Sequence, residues 1–459
     1  MGNYFAKLAP SIAQPTGQAD RVSDQKPDQV THLDTISEGV HDQATQTDAV
    51  SDGVEDQTTQ PDTVAEVVEE GKDAYRPGGF HPVYIGDVFN DRYKVLNKIG
   101  YGQYSTVWLV KDLQASGDGS SVFWALKVLS AICYGQGYDT FEKEILTHLR
   151  DGDREQLGYN YICHLVDDFE HQGPNGTHTC LVFELMGETL RSFGVWFSEY
   201  MIPPAIMHRF AIQLVLALDF AHEHDVIHTD IKPDNIFVKF RDQSLIESGY
   251  LKEVPIPEQD RAETQYCPVP SQPLRGYYFD TKNTRADQFD IALGDWGVSS
   301  WTTKHLCELI QPVALRSPEV LIGAPWSTST DWWNLGAVLI EVFRAVQMFD
   351  GGVPPDGHYE LKEHLSEIVD LFGPFPKALL EKGDPDIVRD LFDEEGCVED
   401  VEQYEGPGLE SEDYLPGLSL EMKADFSSFL KLMMKIDPEE RPSAMDLLRH
   451  PWLNAVRSK

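Results

Sequence analysis

His228-Thr229-Asp230-Ile231-Lys232-Pro233-Asp234-Asn235 packs a carboxylate, an ammonium and an amide into eight residues. Asp230 can accept the proton of an attacking hydroxyl, and Lys232 can neutralise charge on a moving phosphoryl group. Asn235 can hold a metal ion that bridges phosphates. That is the order phosphoryl transfer needs. A lone H-x-D triplet would carry little weight, so the reading depends on partners elsewhere in the chain.

Upstream, Ile99-Gly100-Tyr101-Gly102-Gln103-Tyr104-Ser105-Thr106-Val107 is a glycine-rich turn between two segments of alternating apolar residues. Gly100 and Gly102 let backbone N–H groups approach phosphates without a Cβ clash. Glycine pairs also mark plain hairpins, and the turn gains its meaning from Trp124-Ala125-Leu126-Lys127. One strand later, that run puts a lysine within reach of the α- and β-phosphates. Glu144 on the next helix is the expected ion-pair partner of Lys127, with Glu142 the alternative. Downstream, Asp295-Trp296-Gly297 offers a carboxylate for magnesium with an aromatic side chain beneath it. Glu319, in Ser317-Pro318-Glu319, is expected to pair with Arg441. Asp331, in Asp331-x-Trp333-x-x-Gly336, is expected to accept N–H groups of the 228–235 loop. Each of these alone has a plain structural explanation, such as a capping aspartate or a surface ion pair. All of them in this order do not.

The chain has 459 residues, 41 % of them hydrophobic, and a formal net charge of −39. Residues 1–74 hold 15 Asp/Glu against 4 Lys/Arg and almost no aromatics after Phe5. They cannot bury enough apolar surface to offset ordering entropy, so a disordered acidic tail is expected. Within it a 14-residue unit occurs twice, at 39–52 and 53–66, matching at eight positions. Two polar copies make a duplicated tail, not a solenoid. The rest carries 61 acidic against 33 basic residues, which argues against nucleic acid as a direct ligand and suits a basic partner.

Six cysteines lack any C-x-x-C spacing and read as free thiols. Cys163-His164 and His178-x-Cys180 could face each other as zinc ligands, but they also read as ordinary strand residues. Asp219 and Glu341 interrupt the best apolar runs, so no membrane span is expected. No leader-like apolar stretch opens the chain, and Ala6 stands where a myristoylation site needs Ser or Thr. Asn175-Gly176-Thr177 is read as a turn.

Order is expected from Tyr75. Tyr93 to Val110 reads as two strands and Val122 to Val128 as a third. Thr140 to Leu149 has helical spacing, and Asn175-Gly176 closes a hairpin. After Gly187 the pattern turns helical, at Ile206–His222, Trp332–Phe343, Tyr359–Phe372, Met422–Met434 and Ser443–Leu448. The expected fold class is α+β and bilobal. A small antiparallel β lobe with one main helix (about 80–186) is followed by a larger, mostly α-helical lobe (about 187–453), within one domain at 75–459. A proline-rich excess at about 241–287 is expected to be a functional insert or a tolerated surface loop.

These motifs resemble the protein kinases over about residues 80–453 and, within them, the SR-protein kinases. The specific marks are Gly79-Phe80-His81 with Ile85-Gly86-Asp87, Ser105-Thr106-Val107-Trp108, and Asn175-Gly176-Thr177-His178 ahead of Val182-Phe183-Glu184. The His-Thr-Asp loop, Lys304-His305 with Ile310-Gln311, and Arg449-His450-Pro451-Trp452 complete the set. The 241–287 excess sits where that family carries its spacer. The resemblance implies a bilobal kinase fold and transfer from Mg²⁺-ATP to Ser/Thr. It also implies a nucleotide pocket that adds Ala125, Glu184, Met186 and Phe237 to the glycine loop. It further implies basic, Arg/Ser-rich splicing-factor substrates, regulation of mRNA processing, and residence in cytoplasm and nucleus. The expected partners are ATP and basic proteins, without direct nucleic acid or membrane, and the chain is expected to act as a monomer.

Three departures bear on that reading. Thr229 stands where many kinases have an arginine that activation-segment phosphate must neutralise, which points to constitutive activity. Pro312-Val313-Ala314-Leu315 replaces a polar, arginine-containing stretch, which weakens Arg–Ser selectivity. Trp296 and Phe237 replace the usual leucines. The competing class is a pseudokinase scaffold binding basic partners, yet Lys127, Asp230, Asn235 and Asp295 are all retained. A small-molecule kinase is opposed by Ser317-Pro318-Glu319, which implies a polypeptide-binding lobe.

Overall fold

The computed structural model describes residues 69–453 and 455, apart from 116–120, 135–139, 263–264, 281–284, 286–287, 354–356, 400 and 402–406. The duplicated unit and the tail up to residue 68 lie outside the described residues. The first part of the small lobe is six strands: Val88–Phe89 (β1), Tyr93–Gly102 (β2), Ser105–Asp112 (β3), Phe123–Leu129 (β4), Leu165–Gly173 (β5) and Gly176–Glu184 (β6). They pair antiparallel in the order β1-β2-β3-β4-β6-β5. Period-2 alternation places Val95, Trp108, Val110, Leu126, Val128 and Val182 on one buried face, the residue spacing a pleated sheet requires. Helix Glu142–Arg150 (α1) buries Ile145, Leu146 and Leu149 beside the sheet.

Beyond the hinge come Met186–Thr189 (β7), Leu190–Phe193 (α2), Pro204–Glu223 (α3), Val226–Ile227 (β8) and Ile236–Lys239 (β9). Leu251–Glu253 (α4), Ile291–Leu293 (β10) and Ser300–Trp301 (β11) follow. Strands β10-β9-β7 form one small sheet and β11-β8 another, and together they hold the loops between them at the cleft. The helical body continues with Pro318–Leu321 (α5) and Ser329–Arg344 (α6), the two-residue strands Gly352–Val353 (β12) and His358–Tyr359 (β13), and Leu361–Phe372 (α7). Lys377–Leu380 (α8), Pro385–Leu391 (α9), Leu420–Met433 (α10) and Ala444–Arg449 (α11) complete it. Its centre is α6, on which Trp333, Leu335, Leu339, Ile340 and Phe343 are wholly buried. By length and hydropathy the segment ending in α3 could cross a membrane. However, 61 % of its most apolar window is buried inside the protein, so the core accounts for its apolarity.

One expectation needs correction, and two open readings are narrowed. Residues 69–74, assigned to the tail, are ordered: Glu69 Oε2 lies 2.7 Å from the buried Lys98 Nζ, which also pairs with Glu70. The charge of a lysine withdrawn from water is compensated only if carboxylates follow it in. The insert carries helical structure of its own. Ile246–Tyr250 and α4 form two turns of helix, and Ile246, Tyr250 and Leu274 pack against Leu109, Phe123 and Leu185. A Cβ on Gly187 would fall 2.6 Å from the Tyr278 ring, so the returning insert needs a glycine at the hinge. Finally, Cys163 is packed on Met186 and Ala292, while His178 faces His171 across the hairpin. No cluster of three ligand side chains able to hold a metal occurs among the described residues.

Candidate active site

The 228–235 loop is held from below by α6. Asp331, in its first turn, accepts N–H bonds from His228 (2.8 Å) and Thr229 (2.9 Å), and Asn334 Oδ1 accepts from Ile231 N (3.0 Å). Thr229 adopts a left-handed conformation (φ 66°), a strain the paired N–H groups offset. His228 accepts from Asp230 N at Nδ1 (3.2 Å) and donates from Nε2 to Gly294 O (3.0 Å), so its tautomer ties the loop to the segment before Asp295. Asp230 Oδ2 receives Lys232 Nζ at 2.8 Å and Asn235 Nδ2 at 2.9 Å. Burial works against the charge on Lys232, but the carboxylates of Asp230, Asp295 and Asp234 together outweigh it and hold the ammonium above its ordinary pKa.

Across the cleft, Lys127 Nζ lies 2.6 Å from Glu142 Oε1 and 3.1 Å from Asp295 Oδ1. Glu144, the expected partner, instead lies outside this pair and accepts from Tyr134 Oη at 3.3 Å. The register explains the correction. Glu142, Ile145, Leu146 and Leu149 follow the i, i+3, i+4, i+7 pattern of one helical face, and that face is the buried one. Burial pushes the Glu142 carboxyl up, against the pull of Lys127, whereas the charge of Lys127 holds Asp295 below the usual aspartate range. Lys127 itself is raised, because Asp295 and Glu142 overcome the burial that opposes its charge.

Between these groups lies the cleft. Tyr101, Gly102 and Gln103 are exposed at the tip of the β2–β3 turn, and a Cβ on Gly100 would meet nothing within 4 Å. Tyr104 is half-buried, and Ser105 and Thr106 turn into the sheet, where Thr106 Oγ1 accepts from Trp108 Nε1 at 2.9 Å. Ile99, Val107 and Ala125 share one apolar cluster with Leu185, and Met186 and Phe237 share another with Cys163 and Ala292. Burial raises the Glu184 carboxyl at the cleft edge. Trp296 stacks edge-on to His228, with centroids 4.6 Å apart. The open glycine turn suits a phosphate chain, and the Asp295 carboxylate with the Asn235 amide oxygen is a hard-oxygen set suited to magnesium.

The structure thus brings together Lys127, Asp230, Lys232, Asn235 and Asp295, drawn from three stretches of the chain. It also confirms the Glu319–Arg441 pair, whose two parallel contacts are each 2.7 Å. Sequence reasoning missed Asn334, and it found Gln311 only as a mark of resemblance, without its bonding role. Gln311 accepts Ser317 N at 2.8 Å and donates to Thr330 O at 3.1 Å. Asn334 carries no local signal, since its partner Ile231 lies 103 residues away in the chain.

Residues 93–259 and 279–453 match the protein kinase domain family, and the break at 260–278 falls inside the insert. The chain is similar to protein kinase dsk1 of Schizosaccharomyces pombe, with 29 % identity covering 84 % of this chain and 85 % of that one. It is 33 % identical to a serine/threonine protein kinase of Aspergillus fumigatus, covering 84 % and 91 %. It is 28 % identical to the serine/threonine-protein kinase SRPK of Physarum polycephalum, covering 84 % and 92 %. With the cleft geometry and these relatives in agreement, the chain is a serine/threonine protein kinase and belongs to the SR-protein kinase family.

Proposed function

We propose that this protein is a constitutively active kinase that transfers the γ-phosphoryl group of Mg²⁺-ATP to serine or threonine in basic, splicing-factor-like proteins. The observation that carries the reading is the convergence of Lys232 and Asn235 on Asp230 opposite the Lys127–Asp295 contact. In this reading Asp230 accepts the proton of the substrate hydroxyl, and Lys232 offsets charge on the transferring group. Lys127, oriented by Glu142, grips the nucleotide phosphates under the glycine turn. Asn235 and Asp295 would hold magnesium, which when bound neutralises charge on the phosphates. Asp230→Ala tests this directly. Magnesium-dependent transfer from ATP to a serine peptide should vanish while the thermal transition persists, and comparable activity would remove Asp230 from the role of base.

Constitutive activity is supported by an activation segment held by neutral groups. Thr229 Oγ1 donates to Val298 O at 2.9 Å, Gln311 N donates to Thr229 O at 3.1 Å, and Trp326 Nε1 donates to Glu308 O at 3.0 Å. His305 stacks on Trp326 at 3.7 Å. None of these contacts needs a phosphate. Phosphatase-treated protein should therefore keep its rate. A large fall that returns on phosphorylation of Ser299, Ser300, Thr302 or Thr303 would contradict the proposal.

A preference for basic substrates is supported by the charge. The stretch from Asp384 to Asp413 exposes Asp386, Asp390, Glu394 and Glu395 on the large lobe. Such a field speeds the encounter of cationic peptides and weakens with salt, since exposed charges are screened beyond about 8 Å at physiological ionic strength. Arginine-rich serine peptides should show lower KM than acidic ones at low salt, and the gap should narrow at high salt. Residence in both cytoplasm and nucleus is part of the same proposal and is checked by cell fractionation.

A further inference from the structure

An arginine of the chain covers two carboxylates beside the 228–235 loop. Arg191, in α2, lays its guanidinium across two carboxylates. Its Nη1 lies 2.6 Å from Glu341 Oε1, and its Nη2 and Nε lie 3.1 and 3.2 Å from Asp234 Oδ2. Asp234 stands between Lys232 and Asn235, the two residues that bond Asp230. Four residues of backbone separate it from Asp230, which span at most about 14 Å. A peptide whose hydroxyl meets Asp230 therefore carries residues within about four positions that can reach Asp234 and Glu341. Half of the Arg191 side chain is open to solvent, as is 42 % of Asp234. The contact is an accessible, exchangeable ion pair rather than a buried strut.

We infer that Arg191 is a specificity-determining residue: it fills from within the chain the place a substrate arginine would take. A guanidinium offers the same planar fork of donors whether it comes from the enzyme or the peptide. The tethered group also competes at the high effective concentration of an intramolecular partner. With Arg191 in place, a substrate arginine gains only the difference between two similar ion pairs. Without it, the peptide would meet two uncompensated carboxylates beside the catalytic loop. The inference rests on the reading of a kinase for basic substrates. It adds that the general field attracts cations while one position near the acceptor has its arginine advantage muted.

The test uses the full-length protein and a neutral serine peptide, with single arginines placed at each of four positions on either side of the serine. The readout is the ratio of kcat/KM for the arginine peptide to that for its alanine counterpart. Arg191→Ala should raise this ratio about two- to fivefold at one position, through KM and not kcat, the worth of one partly exposed ion pair. Glu341→Gln added to Arg191→Ala should bring it back down. A ratio unmoved at every position, or a rise that survives Glu341→Gln, overturns the inference. Wild-type protein that phosphorylates none of the peptides overturns the kinase reading instead. Fluorescence anisotropy of the labelled peptides on wild type and Arg191→Ala then still decides the role of Arg191: tighter binding of one arginine peptide supports it, and equal binding refutes it.

Discussion

Lys127 and Arg441 each pair with a buried glutamate, one in the small lobe and one in the large, and the pairs differ in almost every other respect. The Arg441 and Glu319 side chains are wholly excluded from solvent and joined by two parallel contacts, and the remaining guanidinium donors go to Lys435 O, Ser329 O and Ile436 O. Every donor and acceptor is accounted for, and nothing is left over for a ligand. Lys127 holds Glu142 through one oxygen and reaches a second carboxylate, Asp295, whose side chain is 45 % open to the cleft. A flexible ammonium shared between two acids can be drawn toward a third anion, whereas a satisfied fork cannot. The first arrangement is suited to chemistry and the second to holding α5 against the end of the domain.

The comparison would break most visibly at Arg441. Arg441→Ala leaves the Glu319 carboxylate buried without its cation and should cost about 3–5 kcal/mol of stability. Arg441→Lys should recover only part, because an ammonium cannot make the two parallel contacts. Urea melts read both, and an alanine variant as stable as wild type would mean that the pair is not what joins the segments. Lys127→Met should do the reverse. The catalytic rate should fall about 10²- to 10³-fold, the usual cost of one electrostatic clamp, while the melt changes little. The reason lies in Glu142, whose carboxyl burial already pushes up, so that it can take a proton when its cation is removed.

A finer cut separates two neighbouring acids. Glu142→Gln should lower kcat about tenfold by loosening Lys127, and Glu144→Gln should leave kcat within about twofold. Equal losses in the two variants would put the pairing geometry in doubt.

The site was largely legible because phosphoryl transfer concentrates its residues in short runs: 228–235, 124–127 and 295–297 each announce themselves locally. What failed was geometry that no run contains. Glu142 rather than Glu144 shares the face marked by Ile145, Leu146 and Leu149, and a helical stripe begun at Glu142 finds it. Glu69 and Glu70 look like the last charges of an acidic tail, and only Lys98, 29 and 28 residues on, shows them to be structural. The helical turn at 246–250 rests on Ile246 and Tyr250 meeting Leu109 and Phe123, a tertiary contact that overrides a proline-rich context. The α+β architecture itself followed from two periodicities, 2 before Gly187 and 3.6 after it.

A half-buried carboxyl with no cation partner among the described residues completes the contrast and gives the smallest expected effect. Glu367, on α7, accepts the backbone N–H groups of Asp350 and Gly351, each at 3.1 Å, where Glu319 has a guanidinium. Burial pushes its pKa up to about 7 from 4.5, helped by the nearby Asp350. The folded protein therefore holds the proton more tightly than the unfolded chain. The stability this contributes is complete below about pH 4.5 and is lost as the pH rises through 7. Glu367→Gln keeps an acceptor for the two N–H groups and cannot ionise. Relative to that variant, wild type should lose about 1–2 kcal/mol between pH 5 and 8, a figure set low because the carboxyl is partly exposed. Thermal melts of the two proteins across that range should diverge as the solution becomes alkaline. Parallel curves would show that the carboxyl ionises freely, and the cation would then matter less to a buried acid than the Arg441 and Lys127 pairs suggest.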